Sequence, residues 1–199
     1  MYQRILKQLL TIKNIKELLR TVLYALILLA LLQILVSNYE VEGPSMEPNL
    51  IQSERIFVNR LIYYRIDLNN LSRFLPYYQS EGHKSLFSKP ERGDIIIFKY
   101  PPDPNKMFVK RVIGIPGDVV EIVNGNVYLN NEKLTEKYLT NSYSGKSIGP
   151  TTIENGFFFV LGDNRAESND SRNGWLVPYD SIIGKAWILY WPINKLSLI

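Results

Sequence analysis

The chain has no cysteine and a single histidine, His83, among its 199 residues. The first absence excludes disulfides, zinc–thiolate sites, iron–sulfur ligation and cysteine nucleophiles. The second excludes a multi-histidine metal centre. No metal or cofactor is therefore expected, and hydrolytic chemistry must run on Ser, Thr, Lys, Asp, Glu, Tyr or that one imidazole. A basic surface is missing too, although the net charge is +4. The first 20 residues carry five basic groups (Arg4, Lys7, Lys13, Lys16, Arg20) against Glu17, and the remaining 18 basic and 18 acidic residues cancel. A nucleic-acid footprint needs a clustered excess on the folded part, so no nucleic-acid partner is expected. Apolar residues at 46% and charged residues at 21% suit a chain that buries a core.

Charge is also missing from Thr21 to Tyr39. These 19 residues make about 28 Å of helix, close to the ~30 Å hydrocarbon core. A cleavable signal peptide has a shorter apolar run and small residues at its cut, which Val36-Ser37-Asn38-Tyr39-Glu40 lacks. A buried soluble helix is rarely apolar all round at this length. The reading is a single retained span at 21–39, with a basic arm at 1–20 kept on the cytoplasmic side and 40–199 outside. Ile5, Leu9, Ile12, Ile15 and Leu19 recur at helical spacing in the arm. It is either a helix lying on the inner membrane surface or a plain juxtamembrane extension.

Past Glu40 the pattern becomes short apolar runs broken by Gly, Pro and Asn. Strands are expected at Arg55–Ile62, Asp94–Tyr100, Met107–Ile115, Val119–Val123, Asn126–Leu129, Phe157–Leu161 and Ile182–Trp191. Asn124-Gly125 marks a type I′ hairpin. The expected fold is an all-β domain of many short strands, barrel or folded sheet, after one N-terminal transmembrane helix. Residues from about 63 to 92 break the rhythm and carry Tyr63, Tyr64, Phe74, Tyr77, Tyr78 and His83. They read as an inserted lobe or a membrane-touching loop.

Three blocks are rich in reactive side chains. In Gly43-Pro44-Ser45-Met46-Glu47-Pro48, a turn serine is either a local hydrogen-bonding residue or an exposed nucleophile. Ser45 lies six residues past Tyr39, so an extended chain keeps it within about 20 Å of the end of the predicted span. In Phe108-Val109-Lys110-Arg111-Val112-Ile113-Gly114, a lysine interrupts an apolar strand. It is either a snorkelling or edge-strand lysine or a desolvated base. Both strand faces are apolar, so alternation does not choose which cation is buried. A buried ammonium can lose its proton and a guanidinium cannot, so only Lys110 can act as a base. The run Gly162-Asp163-Asn164-Arg165-Ala166-Glu167-Ser168-Asn169-Asp170-Ser171-Arg172 is a surface loop held by its own turns and ion pairs, or a polar network that orients something.

Together, in this order and after an apolar span, these blocks resemble the type I signal peptidases, from roughly Val22 to Trp191. Gly174-Trp175-Leu176-Val177-Pro178 and Ile183-Gly184-Lys185-Ala186 add to the likeness. The resemblance implies a membrane-anchored serine endopeptidase of the bacterial plasma membrane, N-terminus inside and catalytic domain outside. It implies Ser45 as nucleophile, with its backbone amide in the oxyanion hole, and Lys110 as general base. Ser168 would hydrogen-bond the lysine amine and direct it. Arg111, Asp163, Arg165, Asp170 and Arg172 would shape the site through ion pairs, with Arg111 on Asp163. The implied partners are preprotein signal peptides, the lipid bilayer and the export machinery. Cleavage would follow a small residue, with another small residue two before it. Two positions depart from the pattern: Gly43 removes a side-chain oxyanion donor present in some members, and Asn49 replaces a common threonine. No motif covers 63–92. Competing readings are a Ser–His–Asp hydrolase using His83, a serine–lysine self-cleaving repressor fold, and an inactive membrane-tethered β-domain serving binding or assembly.

Overall fold

The computed structural model describes residues 2–67, 83–85, 87–139, 145 and 147–199. The chain divides into two units, Met1–Val36 and Ser37–Ile199. The first is one helix, Tyr2–Leu35 (α1). Arm and predicted span are thus continuous. The helix stops at Leu35, four residues short of the expected limit at Tyr39, and the chain goes on as a strand, Val36–Glu40 (β1). Val36, Ser37 and Asn38 are weak helix formers, and β1 takes the edge of a sheet. Leu26, Ile27, Leu28 and Leu29 are all exposed. At 100° per residue these four positions go most of the way round the helix. Counted over the described residues alone, no helix is long and apolar enough to cross a membrane.

The second unit is mostly β-sheet. Its strands are β2 (Arg55–Asn59), β3 (Arg65–Asp67), β4 (His83–Ser85), β5 (Ile95–Lys99), β6 (Met107–Gly114) and β7 (Val119–Val123). They continue as β8 (Asn126–Leu129), β9 (Glu132–Lys133), β10 (Ile148–Thr152), β11 (Phe157–Leu161), β12 (Val177–Pro178), β13 (Ile182–Trp191) and β14 (Ser197–Leu198). The main sheet runs β1-β2-β13-β5-β6-β11-β12, with β14 added on β13. A second sheet runs β10-β7-β8-β9, and β3 pairs with β4.

Strand alternation divides the core. Ile95 and Ile97 of β5 join Met46, Leu50, Ile56 and Val58. Ile96 and Phe98 point the other way, to Val112, Phe158 and Val160. Phe159 and Leu161 of β11 pack with Ile113 and the second sheet. The central strands are therefore covered on both faces, which is why their sequences are apolar throughout rather than alternating.

Six of the seven expected strands begin and end within a residue of their expected limits. Asn124 and Gly125 both have positive φ, 49° and 81°, as a type I′ turn requires. The expected strand Arg55–Ile62 ends early at Asn59. Its Oδ1 accepts from the Leu61 and Ile62 amides (3.0 and 3.2 Å), turning the chain out of the sheet. Strands β1, β3, β4, β9, β10, β12 and β14 were not expected. They are two to five residues long, and most are polar. Most of the irregular segment at 63–92 lies outside the described residues. Its ends are joined by the β3–β4 ladder, where the His83 backbone stands opposite Asp67.

Candidate active site

Ser45 sits in a tight turn that begins with Gly43 at φ +77°. The Glu47 amide donates to the Pro44 carbonyl at 3.0 Å. The Asn49 and Leu50 amides both donate to Met46, also at 3.0 Å. Met46 and Leu50 are fully buried. The turn is thus pinned by two apolar anchors while Ser45 stays partly open.

Lys110 lies on β6 and is 3% exposed. Its Nζ is 2.7 Å from Ser45 Oγ and donates to the Val109 carbonyl at 2.8 Å. The Phe108 ring lies 5.1 Å from the same nitrogen. Among the described residues no carboxylate is bonded to it. Burial therefore dominates, and it pushes the Lys110 amine down to about 8 against the opposing pull of Asp170 and Asp163.

Loop 162–172 is brought alongside because β11 pairs with β6, with Leu161 opposite Arg111. Arg111 holds Asp163 with two prongs, Nε to Oδ1 at 2.8 Å and Nη2 to Oδ2 at 2.7 Å. Asp170 is completely buried. It accepts from the Gly162 amide (3.0 Å) and from Arg172 Nε and Nη2 (2.7 and 2.8 Å). The Asn164 amide donates to the Ser45 carbonyl at 3.0 Å, tying loop and turn together. A side chain at Gly162 would collide with Ser168 and with that same Ser45 carbonyl, so only glycine allows this approach. Arg165 is also buried, with Nε on the Gly162 carbonyl at 3.1 Å and its two terminal nitrogens on Glu136.

Ser168 differs from expectation. Its Oγ is buried and has no hydrogen-bond partner, so it makes no bond to Lys110. The Lys110 amine is instead directed by Ser45 and the Val109 carbonyl, while Ser168 packs on Gly162. Three residues outside the expected set complete the cluster. Asn49 Nδ2 donates to Asp163 Oδ2 and to the Tyr138 carbonyl, both at 2.9 Å. The Tyr138 hydroxyl donates to Glu136 at 2.6 Å, and burial raises the Tyr138 phenol further. The Arg111 guanidinium lies 4.1 Å over the Tyr138 ring. Glu136 and Tyr138 lie in a turn closed by the Leu139 amide on the Glu136 carbonyl at 3.2 Å. No sequence signal marks either as part of the site.

Beside Ser45 and Lys110 opens a cleft of about 780 Å³. One wall is the chain from Asn38 to Glu42, the other Asn105 to Lys110, and Ile56 and Ile97 also line it. Among the described residues, no group of acidic or histidine side chains is placed to hold a metal ion.

An alcohol in contact with a buried, carboxylate-free amine is the layout of a serine–lysine hydrolase. The family described as "Signal peptidase, peptidase S26" matches residues 15–191 of this chain. The chain is 31% identical over 194 residues to signal peptidase I P of Bacillus subtilis subsp. natto, covering 92% of each. It is 35% identical over 183 residues to signal peptidase I T of Bacillus subtilis strain 168, covering 85% of this chain and 82% of the relative. A crystal structure of a signal peptidase I from Enterococcus faecalis aligns with a TM-score of 0.44 and 34% identity, over 49% of this chain and 97% of that one. The chain belongs to the signal peptidase family, peptidase S26, and is a serine endopeptidase.

Proposed function

We propose that this protein is a membrane-anchored signal peptidase that removes signal peptides from exported preproteins, with Ser45 as nucleophile and Lys110 as general base. The observation that carries this is the 2.7 Å separation of Ser45 Oγ and the buried Lys110 Nζ. A lysine at the ordinary pKa of ~10.4 is neutral about 0.04% of the time at pH 7. At about 8 the neutral fraction is about a tenth.

Neutral Lys110 takes the Ser45 hydroxyl proton as the oxygen attacks the scissile carbonyl carbon. The oxyanion is held by backbone donors, the Ser45 amide among them, since Gly43 offers no side chain. The C–N bond breaks, and Lys110 returns the proton to the leaving amine. A water then loses its proton to Lys110 and cleaves the ester, and Ser45 recovers its hydrogen. Arg111, Asp163, Arg165, Asp170 and Arg172 take no proton in this scheme. They hold the loop that frames the two reacting groups.

The substrate enters the cleft extended. Residues Met107–Val109 of β6 lie beyond the positions that β11 pairs, which are Arg111, Val112 and Gly114. A substrate strand can add there. The cut follows a small residue with a second small residue two before it, each seated on the apolar wall of the cleft.

The anchor is α1. Counted over the full sequence, Leu18–Leu35 contains Arg20 as its only charge. Its 18 positions span about 27 Å with that side chain reaching the headgroups. The exposed ring of Leu26 to Leu29 favours lipid over water. The basic arm stays cytoplasmic and residues 40–199 face outward at a bacterial plasma membrane.

The test incubates the detergent-solubilised full chain with a preprotein and reads the products by mass. Cleavage at one bond after a small residue, abolished by Ser45→Ala, is expected. An intact preprotein would instead leave a tethered binding module.

A further inference from the structure

Loop 162–172 reaches the serine turn by one backbone bond, Asn164 to the Ser45 carbonyl, and by one side chain, Asn49. That side chain uses both hydrogens of its amide, one on Asp163 Oδ2 and one on the Tyr138 carbonyl. Asp163 in turn holds Arg111, the residue after Lys110 on β6. A closed circuit results. It runs from the turn through Asn49 and Asp163 to Arg111 and β6, and returns from Lys110 Nζ to Ser45 Oγ.

We propose that Asn49 is a positioning residue which, acting through Asp163 and Arg111, sets the approach of Ser45 to Lys110 and holds Lys110 ready to accept a proton. This rests on the reading of Ser45 and Lys110 given above. The amide suits the place chemically. A carboxylate there would repel Asp163, and an aliphatic side chain would leave the Tyr138 carbonyl and one Asp163 lone pair without their donor. Reacting atoms displaced by ~1 Å lose up to about 10²-fold in rate, so a brace on the turn is felt in turnover.

The electrostatics run the same way. The charged groups bearing on Lys110 come from loop 162–172 and are Asp170 and Asp163, both of which favour its protonated form. From the serine turn it meets Ser45 Oγ, and on its own strand the Val109 carbonyl and the Phe108 ring. Asp170 is matched by Arg172, and Asp163 by Arg111 and Asn49. Without the Asn49 amide, the Asp163 charge is less compensated, which favours the ammonium.

The experiment measures kcat, KM and their pH dependence for the full-length Asn49→Ala protein on a preprotein. Ser45→Ala runs alongside, and thermal unfolding monitors the fold. The expected result is a kcat about tenfold lower, KM within about twofold of the parent, and an acid limb of kcat displaced upward by about half a pH unit. A kcat equal to the parent's, or a lower kcat with the acid limb unmoved, overturns the inference, since a merely structural role lowers the active fraction without moving the limb. If Asn49→Ala does not fold, Asn49→Ser decides by the same criteria, because its single hydroxyl cannot serve both partners. Should Ser45→Ala retain turnover, the serine–lysine reading fails and this one with it. Should Ser45→Ala be dead while Asn49→Ala behaves as the parent, only the role of Asn49 is lost.

Discussion

Two neighbouring residues on β6 carry positive groups, and the protein treats them in opposite ways. Arg111 is given both oxygens of Asp163, the Gly93 carbonyl at 2.8 Å and the face of Tyr138. Lys110 is given a hydroxyl, one carbonyl and a ring, with no carboxylate among the described residues in contact. A guanidinium cannot shed its charge, so a buried one must be paired. An ammonium can, so burying it unpaired produces a base. The two buried carboxylates of the loop are already taken, Asp163 by Arg111 and Asp170 by Arg172. The cluster matches its permanent charges with one another and leaves over the one group whose charge is removable.

The sharpest way to break this contrast is to remove the reacting pair. Lys110→Ala and Ser45→Ala are each expected to lower kcat about 10³-fold or more on a preprotein while the far-ultraviolet spectrum is kept. Substantial turnover by either pure variant would end the comparison. Stripping Arg111 of its partner comes next. Asp163→Ala leaves the largely buried Arg111 without its carboxylate and should cost up to about 3 kcal/mol in denaturant unfolding. The acid limb of any remaining activity should move to lower pH, because the bare guanidinium disfavours a second cation beside it.

Lys110→Met should do the reverse and stabilise the fold. The folded lysine titrates near 8, below its ordinary 10.5. Between those values the unfolded chain binds more protons, so parent stability rises with pH across that window. The charging penalty is full below about pH 8 and gone above about 10.5. The gain from Lys110→Met is therefore about 3 kcal/mol at pH 7, fading by pH 10.5, as read by unfolding at several pH values. A gain that is independent of pH would show that packing, not charge, is responsible. The smallest effect lies in the parent protein. Its kcat should climb about tenfold per pH unit on the acid side and level off above pH 8. A limb centred near the ordinary value of lysine would mean that Lys110 is wet.

Much of the β-domain was legible because its signals are local. The Asn124-Gly125 hairpin and the Phe157–Leu161 strand needed only neighbours in sequence. The choice between Lys110 and Arg111 was not available from alternation, because β5, β6 and β11 are covered on both sides. Chemistry and resemblance supplied what periodicity withheld. Glu136 and Tyr138 escaped notice, and Asn49 stood out only as a departure from the pattern, because Asn49 meets Asp163 across 114 positions and Glu136 meets Arg165 across 29. Nothing in a single sequence joins positions so far apart. Ser168 was misjudged for a related reason. The family resemblance put its hydroxyl on the lysine, whereas the fold turns it toward Gly162. The end of the helix at Leu35 was misplaced because absence of charge measures solubility in lipid, while the strand that follows is decided by its partners in the sheet.

The dryness around Lys110 is assembled from pieces of chain far apart in the sequence, so it does not exist before the sheet closes. On the proposed mechanism, an unfinished or partly opened copy carries an ordinary protonated lysine and lacks its base. Proteolytic competence would then be tied to correct maturation, and a newly made molecule harmless to its neighbours until its last strands are in place.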